Sequence, residues 1–224
     1  KVLLKFNENT KLFLASYFFR FNEEDITEDT IKPILDCMMR LFALLELVDV
    51  GYSSKYFKTF LFGEEAKFVD KNISPDEIVK DFDYHISSVW ETSAVKAVLN
   101  DYTGNALVYL NEYLFAQEEN RPFNLGPKYD IEHIMPYSGG NLQEIRKDAG
   151  IADEEEFYEI VNNLGNKIVL EEKINRAIGN EWFRTKVSTS LKDKTGYIDS
   201  VYPLACALVS KYQHTDHPYW KKSD

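Results

Sequence analysis

Cysteine is nearly absent: two residues in 224, with no C-x-x-C pair, exclude the common cysteine zinc sites. Cys37 lies in Asp36-Cys37-Met38-Met39 and Cys206 in Leu204-Ala205-Cys206-Ala207, apolar settings that read as buried free thiols of a reducing cytosol. Glycine (10) and proline (7) are too few for a loop-rich architecture. No uncharged apolar run approaches the ~18 residues of a membrane span, and the first residues lack the form of a signal peptide. A Gly-x-x-x-x-Gly-Lys-Ser/Thr loop is also missing, so the chain has no such phosphate cradle of its own. It opens Lys1-Val2 without a methionine and is therefore expected to be a piece of a longer polypeptide. Basic residues are in deficit, 26 against 37 acidic for a net charge of −11, which taken alone argues against a nucleic-acid partner.

The chain has ample material for a core. Hydrophobic residues make up 44%, with 15 Phe and 14 Tyr. Charge is unevenly spread. Residues 1–164 hold 16 Lys/Arg against 30 Asp/Glu, a net of −14, whereas residues 165–194 hold 7 against 4, a net of +3. One short basic segment thus sits inside an acidic protein.

Helical periodicity dominates the first half. Ile31, Ile34, Leu35, Met38, Leu41, Phe42 and Leu45 recur near 3.6 spacing over Thr27–Val48. Ser74-Pro75-Asp76-Glu77 is a helix start with a cap, a preset first φ and a reciprocal glutamate. Asn105–Gln117 gives another amphipathic helix. After the turn-rich Arg121–Pro127, residues 128–135 predict a short strand closed by Pro136. Helix over Glu154–Asn162, strand over Lys167–Leu170 and a helix from Glu171 follow, with further helices at 181–193 and 197–211. A helical region (1–120) and a compact mixed region (121–224) are expected.

Asp130-Ile131-Glu132-His133-Ile134-Met135-Pro136 carries the most chemistry. Asp130 and Glu132 fall on one strand face and His133 on the other, so a carboxylate and an imidazole serve a cation and a water without competing. The ordinary alternative is a solvated histidine at a strand end. Leu164-Gly165-Asn166-Lys167 and Ile174-Asn175-Arg176 then complete a strand–strand–helix order around one hard cation, for which Glu132 and Asn175 supply oxygen. His85, on an apolar helix face, reads as structural, and His214-Thr215-Asp216-His217 as an exposed tail.

These blocks, together with Asn180-Glu181-Trp182-Phe183-Arg184-Thr185-Lys186, resemble the His-Asn-His (HNH) endonuclease motif in its His-Asn-Asn form. The chain is most similar to the C-terminal nuclease domain of GmrSD-type modification-dependent restriction enzymes. The resemblance covers about 130–186 and implies a mainly α fold with a small ββα-metal unit, an α+β arrangement. It implies His133 as general base, Asn166 as the residue that orients it and ties the loop, and Glu132 and Asn175 as ligands of Mg2+ or Mn2+. Asp130 shares or takes the carboxylate role, since many relatives carry Asp where this chain has Glu132. Arg176, Lys186, Lys167 and Lys173 are the expected nucleic-acid contacts by charge and position.

The resulting expectation is a cytoplasmic, metal-dependent endonuclease that hydrolyses DNA, modified DNA included, within a restriction and phage-defence system. Its expected partner is an N-terminal nucleotide-dependent domain or subunit outside this chain. The acidic segment 137–165 either shields the site or meets a partner. Two alternatives stay open: a non-catalytic helical interaction domain with a degenerate nuclease fold, favoured by the acidic balance of 1–164, and the same chemistry directed at RNA.

Overall fold

Ser74 shows how local chemistry starts an element here. In a computed structural model of the chain, its hydroxyl accepts the Glu77 N–H at 3.3 Å while the Glu77 carboxylate takes the Ser74 N–H at 2.9 Å. Pro75 occupies the first turn, where its missing N–H costs nothing. The structure describes residues 8–21, 26–48, 55–126, 128–188, 195–215 and 219–224. The protein is mainly helical. Among the described residues there is one two-stranded sheet, and no helix is long and apolar enough to cross a membrane.

The chain divides into two compact units between Leu99 and Asn100. The first contains α1 (Glu8–Arg20), α2 (Glu28–Leu47), a π-helical turn (Lys55–Thr59) leading into α3 (Phe60–Lys67), α4 (Pro75–Val89) and α5 (Thr92–Asn100), which ends at the boundary. Phe13, Tyr17, Ile34, Met38, Leu41, Leu61, Ile78 and Phe82 form its core. His85 belongs to this scaffold: its ring stacks on Phe60 at 4.1 Å and Nε2 meets the Tyr56 carbonyl at 2.7 Å.

The second unit holds α6 (Tyr109–Glu118), β1 (Asp130–His133), α7 (Leu142–Ala149), α8 (Glu154–Asn162) and β2 (Lys167–Leu170). It continues through α9 (Glu172–Ile178), α10 (Phe183–Lys186) and α11 (Pro203–Tyr212). β1 and β2 pair antiparallel in the register Asp130↔Leu170 to His133↔Lys167. β2 is buried throughout, with α6 and α11 packed on it, and α9 lies on β1. The boundary falls about twenty residues before the expected 120/121, because α6 packs on β2 and α11 and so belongs with the sheet.

Three helices are shorter than their periodicity suggests. The one expected from Asn105 starts at Tyr109, since Asn105 Oδ1 and the Thr103 carbonyl are acceptors for the Lys167 ammonium. The helix expected over 181–193 is α10 alone as far as residue 188; residues 189–194 lie outside the described chain. That expected over 197–211 resolves into a 3-10 turn at Tyr197–Asp199 and then α11. Pro203 sets the first turn of α11, and Glu171 holds the link by accepting Ser200 Oγ (2.8 Å) and the Val201 N–H (2.5 Å).

Glu112 of α6 is buried and accepts the Leu204 N–H at the start of α11 at 3.3 Å. Burial, reinforced by the negative charge of Glu171 and opposed by the Leu204 hydrogen bond, pushes its carboxyl from 4.5 up to about 7. A carboxyl raised in the folded state penalises folding once it ionises. The penalty is absent below about 4.5 and grows as pH rises to about 7. Glu112→Gln should therefore raise the melting temperature relative to wild type at pH 8 and leave it nearly unchanged at pH 4. The difference between the two proteins is the quantity to measure, because the His133 shift acts in the opposite sense. Equal melting curves at pH 8 would refute the assignment.

Candidate active site

The segment that leaves β1 has no strand to pair with, yet its backbone polar groups must be satisfied. Asn166, in the 3-10 turn Leu164–Asn166 before β2, supplies most of the partners. Its carbonyl accepts the Ile134 N–H at 2.9 Å. Its side-chain oxygen accepts the Met135 N–H at 2.8 Å, while its Nδ2 donates to the Met135 carbonyl at 2.8 Å and the Val161 carbonyl at 2.9 Å. An amide offers both donor and acceptor, so this buried side chain acts as a one-residue surrogate strand. These bonds join the loop after β1 to the turn before β2.

Lys186, at the end of α10, holds the other side of the same segment. Its ammonium donates to Glu132 Oε1 at 2.5 Å, the His133 carbonyl at 2.8 Å and the Ile134 carbonyl at 3.2 Å. The Tyr197 hydroxyl donates to the same Glu132 oxygen at 2.8 Å. Glu132 is 4% exposed and Lys186 1%. Burial pushes the carboxyl up and the ammonium down, each opposed by the attraction between them. Three N–H donors facing three acceptors are the arrangement of a charged ammonium. Further along, Asn180 Nδ2 donates to Ser138 Oγ at 3.2 Å. Gly139 beside it has φ +134°, and a Cβ there would meet Asn180 Cβ at 3.2 Å, so the loop passes where only glycine fits.

His133 is half-buried at the end of β1, with its ring 5.1 Å from that of Tyr137 in an edge-on arrangement. Burial, and then the positive charges of Lys167 and Lys186, pull the imidazole down to about 4. The shift favours the uncharged ring at neutral pH, in which one nitrogen keeps its lone pair. Asp130 and Asn175 are both half-buried, and Asn175 Nδ2 lies 3.5 Å from Asp130 Oδ2. Of the two carboxylates the sequence left open, Glu132 is engaged by Lys186 and Tyr197, whereas Asp130 stands beside Asn175. A carboxylate and an amide are hard oxygen donors suited to a cation that keeps most of its waters. Among the described residues no group of three or more His, Cys, Asp or Glu is placed to hold a metal, so a cation here would have an open shell.

The basic candidates divide. Lys173 and Arg176 are exposed on α9, Arg176 paired with Glu172. Lys167 and Lys186, the other two expected nucleic-acid contacts, turn inward. Both residues are buried, and Lys167 spends its ammonium on the Thr103 and Gly104 carbonyls and Asn105 Oδ1. His214 is exposed, and Asp216 and His217 lie outside the described residues. Tyr197 and Tyr137 were not singled out in the sequence. Tyr137 had a local signal, since it follows Pro136 directly, whereas Tyr197 meets Glu132 across 65 residues with no motif to announce it.

A family model for the C-terminal domain of GmrSD restriction endonucleases matches residues 85–223. The chain belongs to this family. No curated protein and no solved structure matches it in the corresponding comparisons. This GmrSD C-terminal domain is therefore a restriction-endonuclease part, and the motif blocks lie inside the matched span.

Asn166→Ala would strand the Met135 N–H and the Met135 and Val161 carbonyls in a buried setting. At about 1–3 kcal/mol for each buried group left unpaired, partly relieved by relaxation, a loss of about 2–4 kcal/mol is expected from denaturant melts. A loss below about 1 kcal/mol would show that the loop does not depend on this amide.

Proposed function

We propose that this chain hydrolyses phosphodiester bonds of DNA with an HNH-type ββα-metal site. On this reading it is the nuclease part of a modification-dependent restriction and phage-defence system of the cytoplasm, working with a nucleotide-dependent domain or subunit. The observation that carries it is the placement of His133 on β1, the strand that also carries Asp130, whose carboxylate lies 3.5 Å from Asn175 of α9. The strand–strand–helix order around these residues supports the same reading.

His133 would accept the proton of a water whose oxygen forms a new bond to phosphorus, while the bond from phosphorus to the 3′-oxygen breaks and that oxygen takes a proton from solvent. Asp130 and Asn175 would hold Mg2+ or Mn2+, which when bound supplies charge neutralisation at the phosphate and the departing oxygen. Asn166 fixes the loop that carries the base. Lys173 and Arg176 would contact neighbouring phosphates.

A second reading, a non-catalytic interaction domain, draws on the net −14 of residues 1–164 and on the inward turn of two of the four expected basic contacts. Incubation with plasmid DNA and with RNA, each with and without Mg2+ or Mn2+, decides among the readings. Metal-dependent cutting of DNA is expected. Cutting of RNA alone would redirect the substrate, and no cutting would favour the interaction domain.

His133→Ala should lower turnover by ~10²–10⁴ while melting temperature and DNA affinity stay near wild type. Wild-type cleavage by that variant would remove His133 from the mechanism. Arg176→Ala should instead weaken DNA binding and reduce the slope of log affinity against log salt by about 0.9, the value for one phosphate contact. An unchanged slope would exclude Arg176 from the interface.

A further inference from the structure

We propose that Glu132, Lys186 and Tyr197 form a buried brace that positions His133, which makes Lys186 a positioning residue and not a phosphate contact. The inference rests on the nuclease reading above and deepens it.

The backbone accounting carries the argument. The peptide between His133 and Ile134 is held on both sides, its carbonyl by Lys186 at 2.8 Å and its N–H by the Asn166 carbonyl at 2.9 Å. The next peptide is held likewise, its carbonyl by Lys186 at 3.2 Å and its N–H by Asn166 Oδ1 at 2.8 Å. With both planes fixed, the backbone that presents the imidazole has no freedom to rotate. Asn166 alone supplies only the N–H partners of these two peptides. The two carbonyls depend on Lys186.

Glu132 and Tyr197 explain how a lysine can stand there. An ammonium at 1% exposure needs a counter-charge, and Glu132 at 2.5 Å supplies it. Tyr197, wholly buried, fills the space beyond and donates to the same oxygen at 2.8 Å. Apolar residues at 132 and 186 would bury as much surface without the cost of desolvating two charges. They would leave the His133 and Ile134 carbonyls without donors. The brace also removes Glu132 from contention as a cation ligand and leaves that role to Asp130.

The decisive variant is the paired replacement Glu132→Gln with Lys186→Met, which removes both charges together and keeps an acceptor for Tyr197. It should stay folded, bind Mn2+ and DNA within about twofold of wild type with an unchanged salt slope, and lose tenfold or more in kcat. Hydrogen exchange at the Ile134 and Met135 amides should speed up at least tenfold, a readout that needs no catalysis. Wild-type kcat with wild-type exchange would overturn the brace. Weakened DNA binding with a shallower salt slope would return Lys186 to the phosphate interface, and lost Mn2+ binding would return Glu132 to the cation. Tyr197→Phe, a gentler change, should lower kcat several-fold at constant KM; an unchanged kcat would also count against the brace, even if the paired variant failed to fold. If wild type itself cuts neither DNA nor RNA, the nuclease reading fails, and the exchange rates still judge the brace.

Discussion

Everything at this site depends on hydrogen-bonding the backbone that runs from His133 to Pro136 after the sheet has ended. A two-stranded sheet is short of partners by construction, and here each strand has four residues. The chain beyond β1 therefore takes its donors and acceptors from side chains. Asn166 provides two acceptors and two donors to the loop and to Val161, and Lys186 provides two more donors. Pro136, which has no N–H, reduces the number of partners the turn requires. The result is a rigid platform in a part of the chain with almost no regular structure.

That solution places charged groups inside the protein, and it changes what the sequence's charges mean. Lys167 and Lys186 are among the seven basic residues that make 165–194 net positive, yet both serve as internal donors to backbone carbonyls. An ammonium suits this work because three donors on a flexible stem can find three acceptors of irregular placement. The same two charges lie near enough to His133 to oppose its protonation, which adds to burial in keeping the imidazole neutral. Lys186 therefore acts on the site twice, through geometry and through field, and Lys167 through field.

The features legible in the sequence were those with local causes. The Ser74–Glu77 start, β1 as the middle of the expected strand 128–135, β2 and the onset of α9 after Glu171 all follow from residues within a few positions of each other. The family blocks mark Glu132 as a cation ligand and Lys186 as a phosphate contact, whereas in the structure the two side chains face each other. That pairing spans 54 residues and depends on where α10 packs, which periodicity does not encode. Tyr197 is hidden for the same reason. The late start of α11 was readable in principle, since Pro203 favours a first turn, but the apolar residues of 197–211 gave the stronger signal.

On the proposed nuclease reading, the net charge of −11 bears on the rate of DNA encounter more than on the bound state. Exposed charges farther than about 8 Å are largely screened at physiological ionic strength, so contacts depend on what lies beside the phosphate. On α9, Lys173, Asn175 and Arg176 follow one another within four residues, with only Glu172 in its first turn to oppose them. Some acidic residues elsewhere in this unit are already spoken for, Glu154 by Arg146 and Glu156 by Lys222. With Lys167 and Lys186 turned inward, α9 offers few phosphate contacts, which on that reading implies weak binding with a shallow salt dependence for this domain alone. On the same reading, tight capture of DNA would draw on a further surface outside α9.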